Sequence, residues 1–152
     1  MLHLLNMTAT AHALVGGAIA ASVTNPSIGL PLAALSHPIL DMIPHWDFGL
    51  GWKKKTKLTL FVQSLLDLTV GVVLTFFLFS GKTDAYYLIS AMFLSLVWDF
   101  LQMPYLLWGW KFPFSTFYKV QHEINGKAKL PWGLITQALT VGGVMLAFRT
   151  IH

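Results

Sequence analysis

Long apolar stretches with almost no charged residue are the feature that most constrains this chain. In residues 58–80 Asp67 is the only charged side chain, and about 20 apolar residues in a helix are enough to cross a bilayer. Over the whole chain 55% of residues are hydrophobic and 11% are charged, whereas a soluble domain carries roughly 25% charged residues. Because such a chain cannot cover its core with polar surface, we predict a single integral membrane domain over residues 1–152.

The apolar stretches predict an all-α fold, a polytopic membrane bundle of about five transmembrane helices. The expected spans are residues 5–24, 28–44, 58–80, 85–108 and 132–148, with a short helix at 115–123 in the last long loop. The second span is short and contains Pro31 and Pro38, which predicts a helix broken by proline. The alternative is that Pro38 begins a separate short helix. The first span is rich in glycine and alanine, so it is expected at the centre of the bundle.

The basic residues predict how the chain lies in the membrane. Eight of the ten lysines and arginines fall in loops 48–57 and 109–131, which the positive-inside rule places in the cytoplasm. The prediction is therefore a multi-pass protein of the inner membrane with a cytoplasmic N-terminus. We expect the first helix to be retained, because no lysine or arginine precedes it as in a signal peptide. The net charge of +4 is assigned to contacts with lipid headgroups, and no nucleic-acid partner is expected.

Histidine and aspartate recur in and beside the apolar segments, above all in residues 36–47, SHPILDMIPHWD. Ionisable groups are costly in hydrocarbon and mark functional sites there. His37 and Asp41 are four residues apart, so they share one face of a helix. Imidazole and carboxylate groups suit zinc, with manganese or iron as alternatives. The residues predicted to bind a divalent metal are His12, His37, Asp41, His45, Asp67, Asp99 and His122.

Several of these residues have structural alternatives when taken singly. Asp67 is also explained as a structural aspartate that accepts hydrogen bonds from hydroxyls such as that of Ser64. Asp99 is explained in the same way by a hydrogen bond from Gln102, which lies close by in the sequence. His12 is also explained by a hydrogen bond between helices. The expected topology, however, brings all of these groups to the cytoplasmic half of the membrane, which favours one shared site.

Two short motifs in the N-terminal third resemble the bacterial membrane-bound metal-dependent hydrolases. TAHALVGG, with His12 and Gly16, is similar to the family's opening helix, and LDMIPHWD, with Asp41, Pro44 and Asp47, is similar to its acidic motif. The resemblance implies a membrane protein with metal-dependent hydrolase activity. Family members continue with a histidine-containing stretch where this chain has KKKTKLTLFVQS. Either His122 replaces that ligand or the hydrolase activity is absent.

A fainter similarity is to the zinc-dependent phospholipase C and P1 nuclease motif. His37, Asp41, Pro44 and His45 resemble its histidine–aspartate pair followed by proline and histidine, although the spacing to the last histidine is shorter here. This similarity implies hydrolysis of a phosphoester.

The resulting hypothesis is a cytoplasm-facing metal site that hydrolyses a lipid or a lipid-linked phosphoester. Asp47 or Glu123 would act as general base, and Lys119, Lys127 and Lys129 would hold the substrate phosphate. Two other hypotheses stay open. One is a metal or proton translocator, and the other is a membrane interaction protein whose polar cluster only fixes helix packing. The oligomeric state is left open.

Overall fold

The computed structural model describes residues 7–46, 54–126 and 128–149, which form seven α-helices and no β-strand. The prediction of an all-α fold is confirmed. Asp47 and Lys127, predicted as a base and a phosphate ligand, lie outside the described residues. The helices are α1 (Ala9–Ser22), α2 (Pro26–Asp41), α3 (Lys57–Phe79), α4 (Ala85–Ser95), α5 (Val97–Trp108), α6 (Phe114–Ile124) and α7 (Trp132–Arg149).

Helix α1 lies at the centre of the bundle, where it packs against α2, α3, α4 and α7. Small residues make these close contacts sterically feasible. A Cβ on Gly16 would lie 2.9 Å from the carbonyl oxygen of Ala91 in α4, and one on Gly71 of α3 would lie 2.7 Å from Cα of Thr10. The glycine and alanine content of the first apolar segment therefore positions α1, and with it His12, inside the bundle.

Helix α2 is short, as predicted, but it is not broken by its prolines. It runs without interruption from Pro26 to Asp41 through Pro31 and Pro38, so neither a proline break nor a separate helix beginning at Pro38 is found. Each internal proline removes only one backbone hydrogen bond, while α2 packs along α4 and buries Ala33 and His37 completely. The continuous helix keeps His37 and Asp41 one turn apart on the same face.

The apolar stretch at residues 85–108 contains a break instead. Helices α4 and α5 meet at Leu96 and are bent by 48° relative to each other. No proline or glycine lies at this break. The Ser95 carbonyl accepts a hydrogen bond from Nδ1 of His37 at 2.6 Å. A side chain that bonds to a backbone group within a helix, in competition with the helical hydrogen bonds, is a recognised cause of such a bend. We therefore attribute the bend to the contact between His37 and the end of α4.

One described helix, α3, is long and apolar enough to cross a membrane, and α4 with α5 meets the same criteria if the bent pair counts as one span. Most of the apolar window of α3 is not buried in the bundle, and large side chains such as Leu58, Val73 and Phe77 are exposed. This gives limited support for membrane association. The five-span topology and its orientation stay predictions.

Candidate metal centre

Three buried side chains from two helices meet near the end of the bundle where α1 begins and α2 ends. His12 of α1 and His37 and Asp41 of α2 each offer one ligand atom within 4.8 Å of the others. Nε2 of His12 lies 3.1 Å from Oδ1 of Asp41, and Nε2 of His37 lies 3.3 Å from its Oδ2. All three side chains are fully inaccessible to solvent. The group could hold a metal ion, because histidine and carboxylate ligands around one tetrahedral ion are separated by roughly 3.4 Å.

The hydrogen bonding of His37 leaves its inner nitrogen suited to metal binding. Nδ1 lies 2.6 Å from the Ser95 carbonyl oxygen, and because a carbonyl only accepts, Nδ1 must carry a proton. In the neutral ring Nε2 then carries the lone pair, on the side of the ring that faces Asp41. A carbonyl that fixes the tautomer from the opposite side of the ring is the usual outer partner of a metal-binding histidine.

His12 and Asp41 are held in place from further directions. The His12 and His37 rings are stacked, with centroids 3.7 Å apart and planes inclined by 12°, so the two Nε2 atoms face the two oxygens of one carboxylate. The backbone amide of Met7 donates to Oδ1 of Asp41 at 3.0 Å, and the amide of Gly126 donates to the Asp41 carbonyl at 2.7 Å. Asp41 is thereby fixed both by Met7, two residues before α1, and by Gly126, just after α6.

Asp99 of α5 approaches the group from its less buried side. Its Oδ1 lies 3.7 Å from Nε2 of His37, and its side chain is 20% exposed, whereas that of His37 is fully buried. The amide of Gln102 donates to Asp99 at 3.0 Å, as expected from their spacing along the helix. Asp99 is not part of the three-residue group, but its carboxylate also faces Nε2 of His37.

Gln121 of α6 is a polar neighbour that the sequence interpretation missed. Its Nε2 lies 2.8 Å from both Nε2 of His37 and Oδ2 of Asp41, and 3.4 Å from Oδ1 of Asp99. Glutamine is neutral, so a prediction based on ionisable residues does not include it. The sequence does carry a helical spacing here, since Tyr118, Gln121 and Asn125 are three and four residues apart. In the structure all three are buried, the first two in α6 and Asn125 at its C-cap.

Asp67 of α3 binds the beginning of α1. Its carboxylate accepts from the amides of Ala9 at 2.7 Å and Thr10 at 3.2 Å, and from the Thr10 hydroxyl at 2.7 Å. The first amides of a helix have no partner within the helix, and a negative charge stabilises that end. This arrangement corresponds to the structural alternative for Asp67, with Thr10 rather than Ser64 as the hydroxyl partner.

The two remaining predicted histidines lie outside the three-residue group. His45 is fully buried, and its Nδ1 donates to the Ile43 carbonyl at 2.7 Å. His122 is partly buried and its ring stacks on Tyr118, with centroids 5.9 Å apart. Helix α6 reaches the group through Gln121, and successive residues in a helix point roughly 100° apart, which explains why the adjacent His122 faces another neighbour.

The predicted base and phosphate ligands on the described part of α6 and its following loop are all exposed. They are Glu123, Lys119 and Lys129. Their exposure places them on the surface of the bundle rather than in the buried group, where they are accessible to a headgroup or a solvated phosphate.

A cleft of about 110 Å³ lies between the start of α1, α3 and α5. Asp99 lines this cleft and also contacts His37, so the cleft borders the buried group. The other polar side chains in its wall are Thr8, Ser64, Asp67 and Gln102. Its apolar lining consists of Met7, Ala9, Leu60, Leu68, Leu96, Phe100, Met103 and Leu106. The cleft therefore combines a mainly apolar wall with the Asp99 carboxylate at the end that borders the buried group.

Comparison of the chain with protein-family models, with curated proteins and with solved structures found no match. The resemblance of residues in the N-terminal third to membrane-bound hydrolases is therefore neither supported nor contradicted by these comparisons. The conclusion from the structure itself is that His12, His37 and Asp41 form a buried group that could hold a metal ion.

Proposed function

We propose that the chain is a membrane-embedded, metal-dependent hydrolase that acts on a lipid or a lipid-linked phosphoester. The observation that carries the proposal is the convergence of His12, His37 and Asp41 within 4.8 Å in a fully buried position. Two histidines and one carboxylate match a common ligand set of catalytic zinc sites, which keep a further position open for water or substrate. Zinc is the favoured ion, with manganese and iron as alternatives.

A metal ion at this group would supply a nucleophile and an electrophile. A bound divalent ion lowers the pKa of a coordinated water to near neutrality and polarises a phosphoryl oxygen. The protein contributes the orientation of its ligands: Ser95 fixes the His37 ring, and Met7 fixes Asp41. Asp99, held by Gln102, lies between this group and the cleft, where it can orient an incoming polar group.

The surroundings of the group favour a substrate with an apolar chain. The cleft beside Asp99 has mainly apolar walls formed by α3 and α5, and α3 presents exposed apolar residues such as Leu65 and Leu66 outside it. An acyl or isoprenoid segment would enter such a cleft from the bilayer, and its phosphate would be directed to the metal ion, which offsets the negative charge of Asp99. The exposed Lys119 and Lys129 are suited to attracting an anionic headgroup.

Elemental analysis of the protein purified in detergent without added metal tests the metal site. We expect close to one divalent ion per chain in the wild type and a large loss in His37→Ala. Asp84→Asn is the matched control, because Asp84 only caps α4 through the amide of Tyr87, and asparagine is an equally good cap. Less than about a tenth of an ion per chain in the wild type, unchanged in His37→Ala, would contradict the proposal.

A screen of phosphoester substrates tests the reaction. We expect wild-type protein to hydrolyse lipid phosphoesters faster than short, water-soluble ones, and His37→Ala and Asp41→Ala to lose this activity. Metal binding without hydrolysis of any phosphoester would refute the hydrolase and favour translocation. Absence of both metal and activity would favour a purely structural polar cluster.

A further inference from the structure

The side-chain amide of Gln121 lies at the point where the acceptors of the buried group converge. Its nitrogen lies 2.8 Å from Nε2 of His37, 2.8 Å from Oδ2 of Asp41 and 3.4 Å from Oδ1 of Asp99. An amide nitrogen has two hydrogens, so three acceptors compete for two donors. Three acceptors around one point, two of them carboxylates, are the surroundings expected for a cation.

The other end of the same amide is not satisfied. Oε1 of Gln121 is buried and has no hydrogen-bond partner among the residues that the structure describes, and the residue as a whole is 1% exposed. A buried amide oxygen without a partner is destabilising, because it has given up its hydrogen bonds to water. The orientation of the amide is therefore set by its nitrogen, which donates to the facing acceptors, and not by its oxygen.

The distances around the amide nitrogen match those between the ligands of one metal ion. The separations between Gln121 Nε2, His37 Nε2 and Asp41 Oδ2 are 2.8, 2.8 and 3.3 Å. Ligands about 2.1 Å from one ion are separated by roughly 3.0 Å in octahedral and 3.4 Å in tetrahedral geometry. Rotation of the terminal amide by half a turn would place Oε1 close to the present position of Nε2. It would then form one corner of such a ligand triangle with no movement of α6.

We propose that Gln121 is a direct ligand of the metal ion, through Oε1, and that its amide is reversed when no ion is bound. In the metal-free protein Nε2 donates to His37 and Asp41, and in the metal-bound protein Oε1 replaces Nε2 at the same point. Because a glutamine ligand is neutral, it adds no negative charge to a site that already contains Asp41 and borders Asp99. This inference rests on the proposed metal site and adds a third element, α6, to it.

Zinc affinity of purified, metal-stripped variants tests this role by competition with a chromophoric chelator. Gln121→Met has a side chain of similar length but no amide oxygen, and we expect its zinc dissociation constant to rise at least tenfold. Thr116→Val, an exposed position on the same helix, is the control and should match the wild type. Zinc binding by Gln121→Met as tight as or tighter than that of the wild type would show that the amide only fills the space.

Gln121→Glu provides a second measurement that separates a ligand from a structural hydrogen bond. Its carboxylate would repel Asp41 and Asp99 in the metal-free state, so its unfolding midpoint without metal should fall. If residue 121 is a ligand, the Gln121→Glu protein should bind zinc at least as tightly as the wild type. Zinc should then raise the unfolding midpoint of the variant more than that of the wild type. A midpoint that zinc does not restore would overturn the inference. No zinc binding in the wild type would overturn the proposed metal site together with this inference.

Discussion

At the scale of single residues, the carboxylate of Asp41 is the shared partner of the whole group. It contacts Nε2 of His12 at 3.1 Å, Nε2 of His37 at 3.3 Å and Nε2 of Gln121 at 2.8 Å, and also accepts from the Met7 amide. A fully buried carboxylate is retained only where its charge is compensated. The neighbouring histidines provide that compensation when protonated, and a divalent ion provides it when they are neutral.

We expect Asp41→Asn to lower zinc affinity at least tenfold while the protein remains folded. Asparagine has nearly the same shape and retains an oxygen that can accept from Met7, but it has no charge for the ion. Loss of even an outer partner of a metal ligand typically costs roughly ten- to a hundredfold in affinity. Chelator competition measures the affinity, and circular dichroism checks the helix content. Glu123→Gln makes the same chemical change at an exposed position, and an equal loss there would contradict the assignment.

The ionisable residues of the group could be predicted from the sequence, but its neutral residue could not. The spacing of His37 and Asp41 was sufficient to place them on one face, because α2 is helical there. Gln121 could not be identified from ionisable residues alone, and no local pattern specifies that α6 folds back onto α2. That contact depends on Gly126, where a Cβ would lie 2.6 Å from the Met42 carbonyl oxygen.

At the scale of helices, the start of α1 is fixed by an aspartate from another helix. Asp67 of α3 accepts from the amides of Ala9 and Thr10 and from the Thr10 hydroxyl. His12 lies in the same helix, close to this attachment point. The bonds to α1 therefore account for the buried charge of Asp67 without requiring it to bind an ion.

We expect Asp67→Ala to destabilise the fold by roughly 1–3 kcal/mol, since helix N-terminal donors lose their acceptor. Denaturant unfolding in detergent, followed by tryptophan fluorescence, gives the free energy. Thr69→Val is the control on the same helix, because its hydroxyl donates to the Leu65 carbonyl of its own helix. The folded Asp67→Ala protein should bind as much zinc as the wild type. Zinc loss from the fully folded variant would instead identify Asp67 as a ligand.

The helices themselves were largely predictable, and the break in one of them was not. Apolar length and turn residues placed α1, α3, α6 and α7 within a few residues of their observed bounds. No proline or glycine near Leu96 indicates the bend in the sequence. The bend occurs beside the hydrogen bond from His37 to the Ser95 carbonyl, and the sequence does not reveal a contact between residues so far apart in the chain. Conversely, Pro31 and Pro38 suggested a break that packing against α4 prevents.

At the scale of the whole molecule, the helices differ in whether they are long enough to cross a bilayer. At about 1.5 Å per residue, the 23 residues of α3 cover roughly 35 Å, more than the ~30 Å hydrocarbon core. The 14 residues of α1 and 16 of α2 cover only roughly 21 and 24 Å. Since α1 packs against four other helices, the proposed metal group lies inside the bundle and would be shielded from lipid in a membrane.

The positive-inside prediction gives opposite sides of the membrane to the α3–α4 connection and to α6. The chain has no cysteine, so single cysteines can report on this directly. We expect a membrane-impermeant maleimide to label Lys82→Cys in intact spheroplasts, and to label Lys119→Cys only after permeabilisation, because both positions are exposed. Leu88→Cys, at a fully buried position, is the control and should react only after unfolding. Labelling of both lysine positions from the outside would exclude the predicted topology, and with it a cytoplasm-facing metal site.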